Sequence, residues 1–290
     1  MVRVDVRVLL VLAGATMLAC LPACSPTAPD EPDHAGTIAR TPGSAIKLFN
    51  GRTLDNFETW LVDHHHDDPD DVFSIQTIDG ASAIKISGTI WGGLITTGSF
   101  RNYHLVADFR WGGPTSGERA TRARDGGILL HAQGRLGNTA RDFNGPWISS
   151  IEYQIIEGGV GDLIIVQGFD EDGSRIRPSV DATTRTNRNG EDVYDPDGVW
   201  RTFASGRVNW SSKSDDWTDR TGFRGANDVE TAGLGWTRVD VVAEADTLRY
   251  YVNGQLVNAA SNASATEGRI MIQSEGAEIF VRTFDLHPIR

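Results

Sequence analysis

Cysteine is nearly missing from this chain. Cys20 and Cys24 are the only two, and both fall near the N-terminus, so the body of the protein carries neither a disulfide nor a thiolate nucleophile. Lysine is scarce too: Lys47, Lys85 and Lys213 are all of it, and arginine supplies the rest of the 27 basic residues. Against 39 acidic residues this leaves a net charge of -12. Such a surface repels phosphate, which argues against nucleic acid or an anionic membrane as a partner. No segment keeps a helical period for three turns, which removes helical folds and leaves strands. A length of 290 residues fits a single large all-β domain.

The N-terminus reads as an address. Arg3 and Arg7 precede an apolar run, Val8 to Leu21, too short for a comfortable transmembrane helix. Leu21-Pro22-Ala23-Cys24 resembles the lipobox of bacterial lipoproteins, which implies lipidation of Cys24, with Cys20 as the weaker site and a plain secretory signal as the alternative. The expected organisation is a signal peptide over 1–24, a Pro-, Ser- and Thr-rich tether over 25–44, and one domain over 45–290. Membrane attachment would come through the lipid alone. The location would be the bacterial cell envelope, either the periplasmic face or, since Ser25 supplies no Asp retention signal, the outer membrane.

From Val72 onward short alternating runs are separated by polar turns. Phe73 to Ile78, Ala83 to Ser87, Tyr103 to Trp111, Gly126 to His131 and Ser150 to Ile156 all read as strands, and Asn253-Gly254 between two such runs marks a hairpin. Many such strands make a β-sandwich. Residues 167–232 lack a period and are dense in Asp, Arg, Asn and Gly, yet hold Trp200, Trp210 and Trp217; they are expected to form a long ordered excursion across a sheet.

Polar side chains on strands whose other face is apolar are the candidates for chemistry. They are Asp108 and Arg110, His131, Glu152 and Gln154, and Gln273, Glu275 and Glu278 near the end, with Trp147 beside them. A jelly-roll face carrying carboxylates, amides and an aromatic suits a sugar, which offers hydroxyls and C–H faces; each of these residues would otherwise be an ordinary surface group. The His64-His65-His66 tract with its aspartates invites a metal, but consecutive residues of an extended chain point to opposite faces, so the tract alone does not gather ligands.

Five segments, in order, carry a resemblance. They are Leu48-Phe49-Asn50-Gly51, Gly126-Gly-Ile-Leu-Leu-His131, Ser150-Ile-Glu-Tyr-Gln-Ile-Ile-Glu-Gly158, Tyr251-Val-Asn-Gly254 and Ile272-Gln-Ser-Glu-Gly-Ala-Glu-Ile-Phe-Val-Arg282. Together they resemble the 3-keto-disaccharide hydrolase family over roughly 45–290. Gly126-Gly127 departs from the usual Asn-Ser, and Phe280 to Thr283 from the usual aromatic and Asn. The resemblance implies a concanavalin-like β-sandwich and an enzyme that cleaves a 3-keto-glycoside as hydrolase or lyase. There the C3 ketone acidifies the C2 proton, and its removal expels the C1 aglycone. That chemistry needs a base, a stabiliser of the enolate oxygen and an acid. Glu152 or His131 is the candidate base. A divalent metal ion, or Arg110 with Gln154 or Gln273, is the candidate stabiliser, and Glu275 or Glu278 the acid. Two alternatives stand beside this reading. One is a non-catalytic lectin-like module. The other is a laminarinase-type glycosidase, weakened because Gln154 stands where that signature has an Asp between two Glu.

Overall fold

The structure is a computed structural model and describes residues 38–289. The expected signal peptide, Cys20, Cys24 and most of the expected tether therefore lie outside the described residues.

Two antiparallel sheets stack face to face. One runs in the order Gln255–Ala260, Thr247–Val252, Thr237–Glu244, Tyr103–Thr115, Ala277–His287, Ala81–Ile86 and Phe73–Ile78, with Ile46–Lys47 beside Ala277–His287. The other runs Gly206–Val208, Asp162–Val166, Ser149–Ile156, Asp125–Gln133, Arg269–Ser274, Gly92–Thr96 and Phe57–Leu61. Runs of consecutive strands are joined by distant ones, Tyr103–Thr115 pairing with Ala277–His287 and Asp125–Gln133 with Arg269–Ser274, the crossing pattern of a concanavalin-like jelly roll.

Alternation explains which face each strand buries. Tyr103, Leu105, Ala107, Phe109 and Trp111 enter the shared core, as do Ile128 and Leu130, Ile151, Tyr153 and Ile155, and Ile270 and Ile272. Tyr153 meets Tyr250 at 4.7 Å between ring centroids, and Phe57 stacks on Phe284 at 5.9 Å, so aromatic pairs bridge the two sheets. Asn253 and Gly254 turn the expected hairpin with φ of 48° and 80°, the left-handed pair that a tight two-residue turn requires. Among the described residues the sole helical turn is Gly117–Arg119.

The 167–232 excursion is ordered, as expected, and it holds strands that its polar composition hides. Val180–Thr186 lies between Asp192–Tyr194 and Val199–Phe203. On one side of this small sheet Val180, Ala182, Tyr194 and Phe203 join the main core. The excursion is pinned at its far end by Glu230. That carboxylate accepts from Trp111 Nε1 at 2.6 Å and the Gly158 N–H at 3.0 Å, and pairs with Arg224 at 3.1 Å. Burial still pushes its pKa up to about 7.

Candidate active site

The face of the second sheet turned away from the core carries an unusual mixture. Its apolar half gathers Trp60, Ile95, Leu129, Ile148 and Met271, with Trp147 against them. Trp147 stacks on Trp91 at 5.6 Å, and its indole N–H has no protein partner. The polar half follows from register. Leu129 lies opposite Glu152, and Glu152 opposite Ile164, which faces Arg207. In the next row Gly127 lies opposite Gln154, and Gln154 opposite Asp162. Gln273 closes on Gly127 from the other side, and Glu275 follows just past the strand end.

The acids and amides are buried, Glu152 and Gln154 each 5% exposed and Gln273 1%, while Arg207 is half-buried at the edge. Gln154 Nε2 donates to Asp125 Oδ1 at 3.0 Å, leaving its own Oε1 without a partner. Arg207 holds Asp162 at 3.0 Å, and the Trp210 N–H donates to Asp162 at 2.7 Å. Arg119, in the helical turn, pairs with Asp125, grips Asp219 at 3.0 Å and approaches Glu275 at 3.9 Å.

Burial and crowding set the ionisation. Glu152 rises to about 8, first through burial and then through the charge of Glu275, with Arg207 and the nearby Gln273 amide opposing the rise. Burial raises Glu275 to about 7, against the pull of Arg119 and Arg207. Two carboxyls that titrate near neutrality on one face are what acid–base chemistry requires. Removing Arg119 would leave Asp125, Asp219 and Glu275 without their shared cation. Arg119→Met is expected to cost roughly 3–5 kcal/mol in chemical denaturation and to push the Glu275 pKa higher.

The structure thus brings together Glu152, Gln154, Gln273 and Glu275, with Trp147 at the apolar end. The others fall elsewhere. His131 sits where the register between Leu130 and Gln133 is broken, with a φ of 56°. That irregularity ends the alternation, and its ring packs edge-on against Tyr103 at 5.6 Å, with Nδ1 3.0 Å from the Ala265 carbonyl. Burial lowers its pKa to about 4, so it is a neutral core histidine rather than a base on this face. Asp108 and Arg110 belong to the outward face of the other sheet. Thr283 Oγ1 donates to Asp108 at 2.9 Å, and Arg110 pairs with Asp79 at 2.9 Å. Glu278 pairs there with Lys85 at 3.1 Å. Glu157 turns to Arg124 at 2.6 Å, so it makes no carboxylate pair with Glu152.

The residues present do not fit a divalent metal. On this floor Asp125, Asp162 and Glu275 are each held or approached by a guanidinium, and among the described residues no three His, Cys, Asp or Glu side chains gather as a ligand set. His65 of the histidine tract lies flat on Trp60 at 4.7 Å, and His66 meets the same ring edge-on.

Sequence reasoning missed Asp125, Gly127, Asp162, Arg119 and Arg207. The first two were within reach, since both share the Leu129 face by alternation. Arg119 and Arg207 lie on a turn and a short edge strand, where no period points to them.

An all-β sandwich with a buried acid–amide cluster beside tryptophans on one face defines a carbohydrate-active protein. The chain belongs to the family of 3-keto-alpha-glucoside-1,2-lyase-like domains, whose model matches residues 44–287. No curated protein sequence matches the chain. Among solved structures, a Parabacteroides distasonis protein assigned to the glycosyl hydrolases is similar at 14% identity. It covers 85% of this chain and 94% of that one, with a TM-score of 0.47. The carbohydrate-binding module CBM66 of Bacillus subtilis is similar at 9% identity, 79% and 94% coverage and a TM-score of 0.39. Bacillus licheniformis β-glucanase is similar at 10% identity, 86% and 99% coverage and a TM-score of 0.42. Likeness at this level carries nothing about substrate.

Proposed function

We propose that this protein cleaves a 3-keto-glycoside by removing the C2 proton and expelling the C1 aglycone. The observation that carries the reading is the convergence of Glu152, Gln154, Gln273 and Glu275, all buried on one face, with Gln154 Oε1 left without a partner. Glu275, titrating near neutrality, is the base, and Glu152 keeps its proton. Glu275 takes the C2 proton, and the C–H electron pair forms the enolate of the C3 ketone. The enolate collapses to restore the C3 carbonyl, a C1=C2 bond forms, and the C1–O bond to the aglycone breaks. The departing oxygen takes the proton from Glu275, so the acid and base roles fall to one carboxyl. Addition of water across C1=C2 then gives the 3-keto sugar. Trp147 and Trp91 offer the sugar ring an apolar wall. No step runs through a metal ion.

Purified protein incubated with 3-keto-glucosides and with their unoxidised parents tests the proposal. Release of aglycone from the oxidised compounds alone is expected, and it should survive a chelator. Glycan binding without turnover would give the lectin-like reading instead, and release from an unoxidised β-glucan the glycosidase one. Attachment to the cell envelope through Cys24 is part of the same proposal. Cys24→Ala should release the protein from membrane fractions.

A further inference from the structure

Asp219 reaches the edge of the polar floor from residues 211–236, a strap that holds no strand. The strap lies across the turn around Gly117–Arg119. Thr221 Oγ1 donates to the Arg122 carbonyl at 2.5 Å, and Trp217 Nε1 to the Glu157 carbonyl at 3.4 Å. Half-buried Asp219 accepts from Arg119 Nη1 with both carboxylate oxygens, at 3.0 and 3.1 Å, and from the Ala123 N–H at 3.1 Å. Arg119 Nη2 pairs with Asp125 and stands 3.9 Å from Glu275 Oε1, beyond hydrogen-bond reach. What brings this guanidinium so near Glu275 is the next residue. Gly276 has a φ of 72°, and a Cβ there would lie 2.7 Å from Arg119 Cγ, so the missing side chain lets the arginine stem cross the turn.

We propose that Asp219 is a positioning residue for Glu275: by occupying Arg119 it keeps the guanidinium from closing on the base. That Glu275 is the base rests on the function proposed above. A guanidinium in direct contact holds a carboxyl well below its ordinary value and makes it a poorer proton acceptor. Arg119 has one positive charge and three acids around it. Two aspartates take its donors and balance its charge, and Glu275 is left at a distance. The other charged groups facing Glu275 do not replace this arrangement. Glu152 arrives from Ser149–Ile156 and repels it, while Arg207, from Gly206–Val208, is held by Asp162 at 3.0 Å. Arg122 stands 3.8 Å from Asp219 but is exposed, so it competes weakly for that carboxylate. The charge of Asp219 adds to the rise that burial imposes on Glu275, and Arg119 opposes it. The strap therefore controls a base that belongs to the sandwich.

Asp219→Asn keeps an oxygen for the Ala123 N–H and removes the charge. On a 3-keto-glucoside its rising pH limb is expected to move from near 7 to lower pH by about 1 pH unit, with KM unchanged and the falling limb of Glu152 in place. Asp219→Glu should return the limb towards the wild-type position. Thr221→Val is the control for a merely structural role: it loosens the strap and lowers Tm, and its limb should stay near 7. Asp219→Ser makes the same measurement if Asp219→Asn fails to fold. Carbon-13 NMR of the Glu275 carboxyl, assigned against Glu275→Gln, reads the same shift without substrate. If the wild type is active and neither the limb nor the carboxyl titration moves in Asp219→Asn, the coupling is overturned while the proposed function stands. If the wild type cleaves no keto-glycoside, the function falls and the carboxyl titration decides the coupling. A downward shift in Asp219→Asn keeps it; an unmoved or raised titration removes it.

Discussion

Glu275→Gln is expected to lower kcat on a 3-keto-glucoside by roughly 10²- to 10⁴-fold, the range that general acid–base catalysis supplies, with little change in KM. The pH profile carries the sharper test. In the wild type the rate should rise as Glu275 loses its proton near 7 and fall as Glu152 loses its own near 8. The result is a narrow bell whose limbs belong to the coupled pair. In Glu275→Gln the rising limb should vanish. The charge of Glu275 also helps to hold the Glu152 pKa up, so the falling limb should move to lower pH. Initial rates between pH 5 and 10 measure both. A rising limb that survives the substitution would remove Glu275 as the base.

The second large effect is on stability. In the folded protein the Glu152 carboxyl is raised from 4.5 to about 8. Below the unfolded value both states are protonated and the site costs nothing. Between the two values the unfolded chain ionises while the folded one keeps its proton, so stability falls steadily as pH rises and levels off above the folded value. The total is on the order of 5 kcal/mol. Glu152→Gln removes the titration. It should melt several degrees above the wild type at pH 8, with the gap closing towards pH 4. Thermal scans at pH 4, 6 and 8 check it; an equal gain at every pH would mean altered packing instead. A site that gives up stability for reactivity behaves this way.

Regular alternation made most of the sandwich legible. Phe73–Ile78 has the bounds that its pattern predicts, and Glu152 and Gln154 point to the face that period-two counting assigns. The same counting failed at His131 because the irregular register there cannot be seen in a string of letters. It also could not tell which sheet a strand joins. Asp108 and Arg110 have the right residue types and the right alternation, yet belong to the opposite sheet. Glu278 follows Glu275 by three residues, but Gly276 turns the chain between them and Glu278 continues in the other sheet. The arginines that set the ionisation of the floor arrive from turns and edges, where identity follows from tertiary position alone.

The order of strands has a consequence for how the protein comes to be made. Ala277–His287 lies inside one sheet and Arg269–Ser274 inside the other, although both come late in the sequence. A nascent chain lacking residues beyond 268 has a gap in each sheet and no Gln273 or Glu275. Neither sheet can close until those strands arrive, and such long-range pairing is intrinsically slow. The domain therefore stays open, with a gap in each sheet, until residues 269–287 have been added.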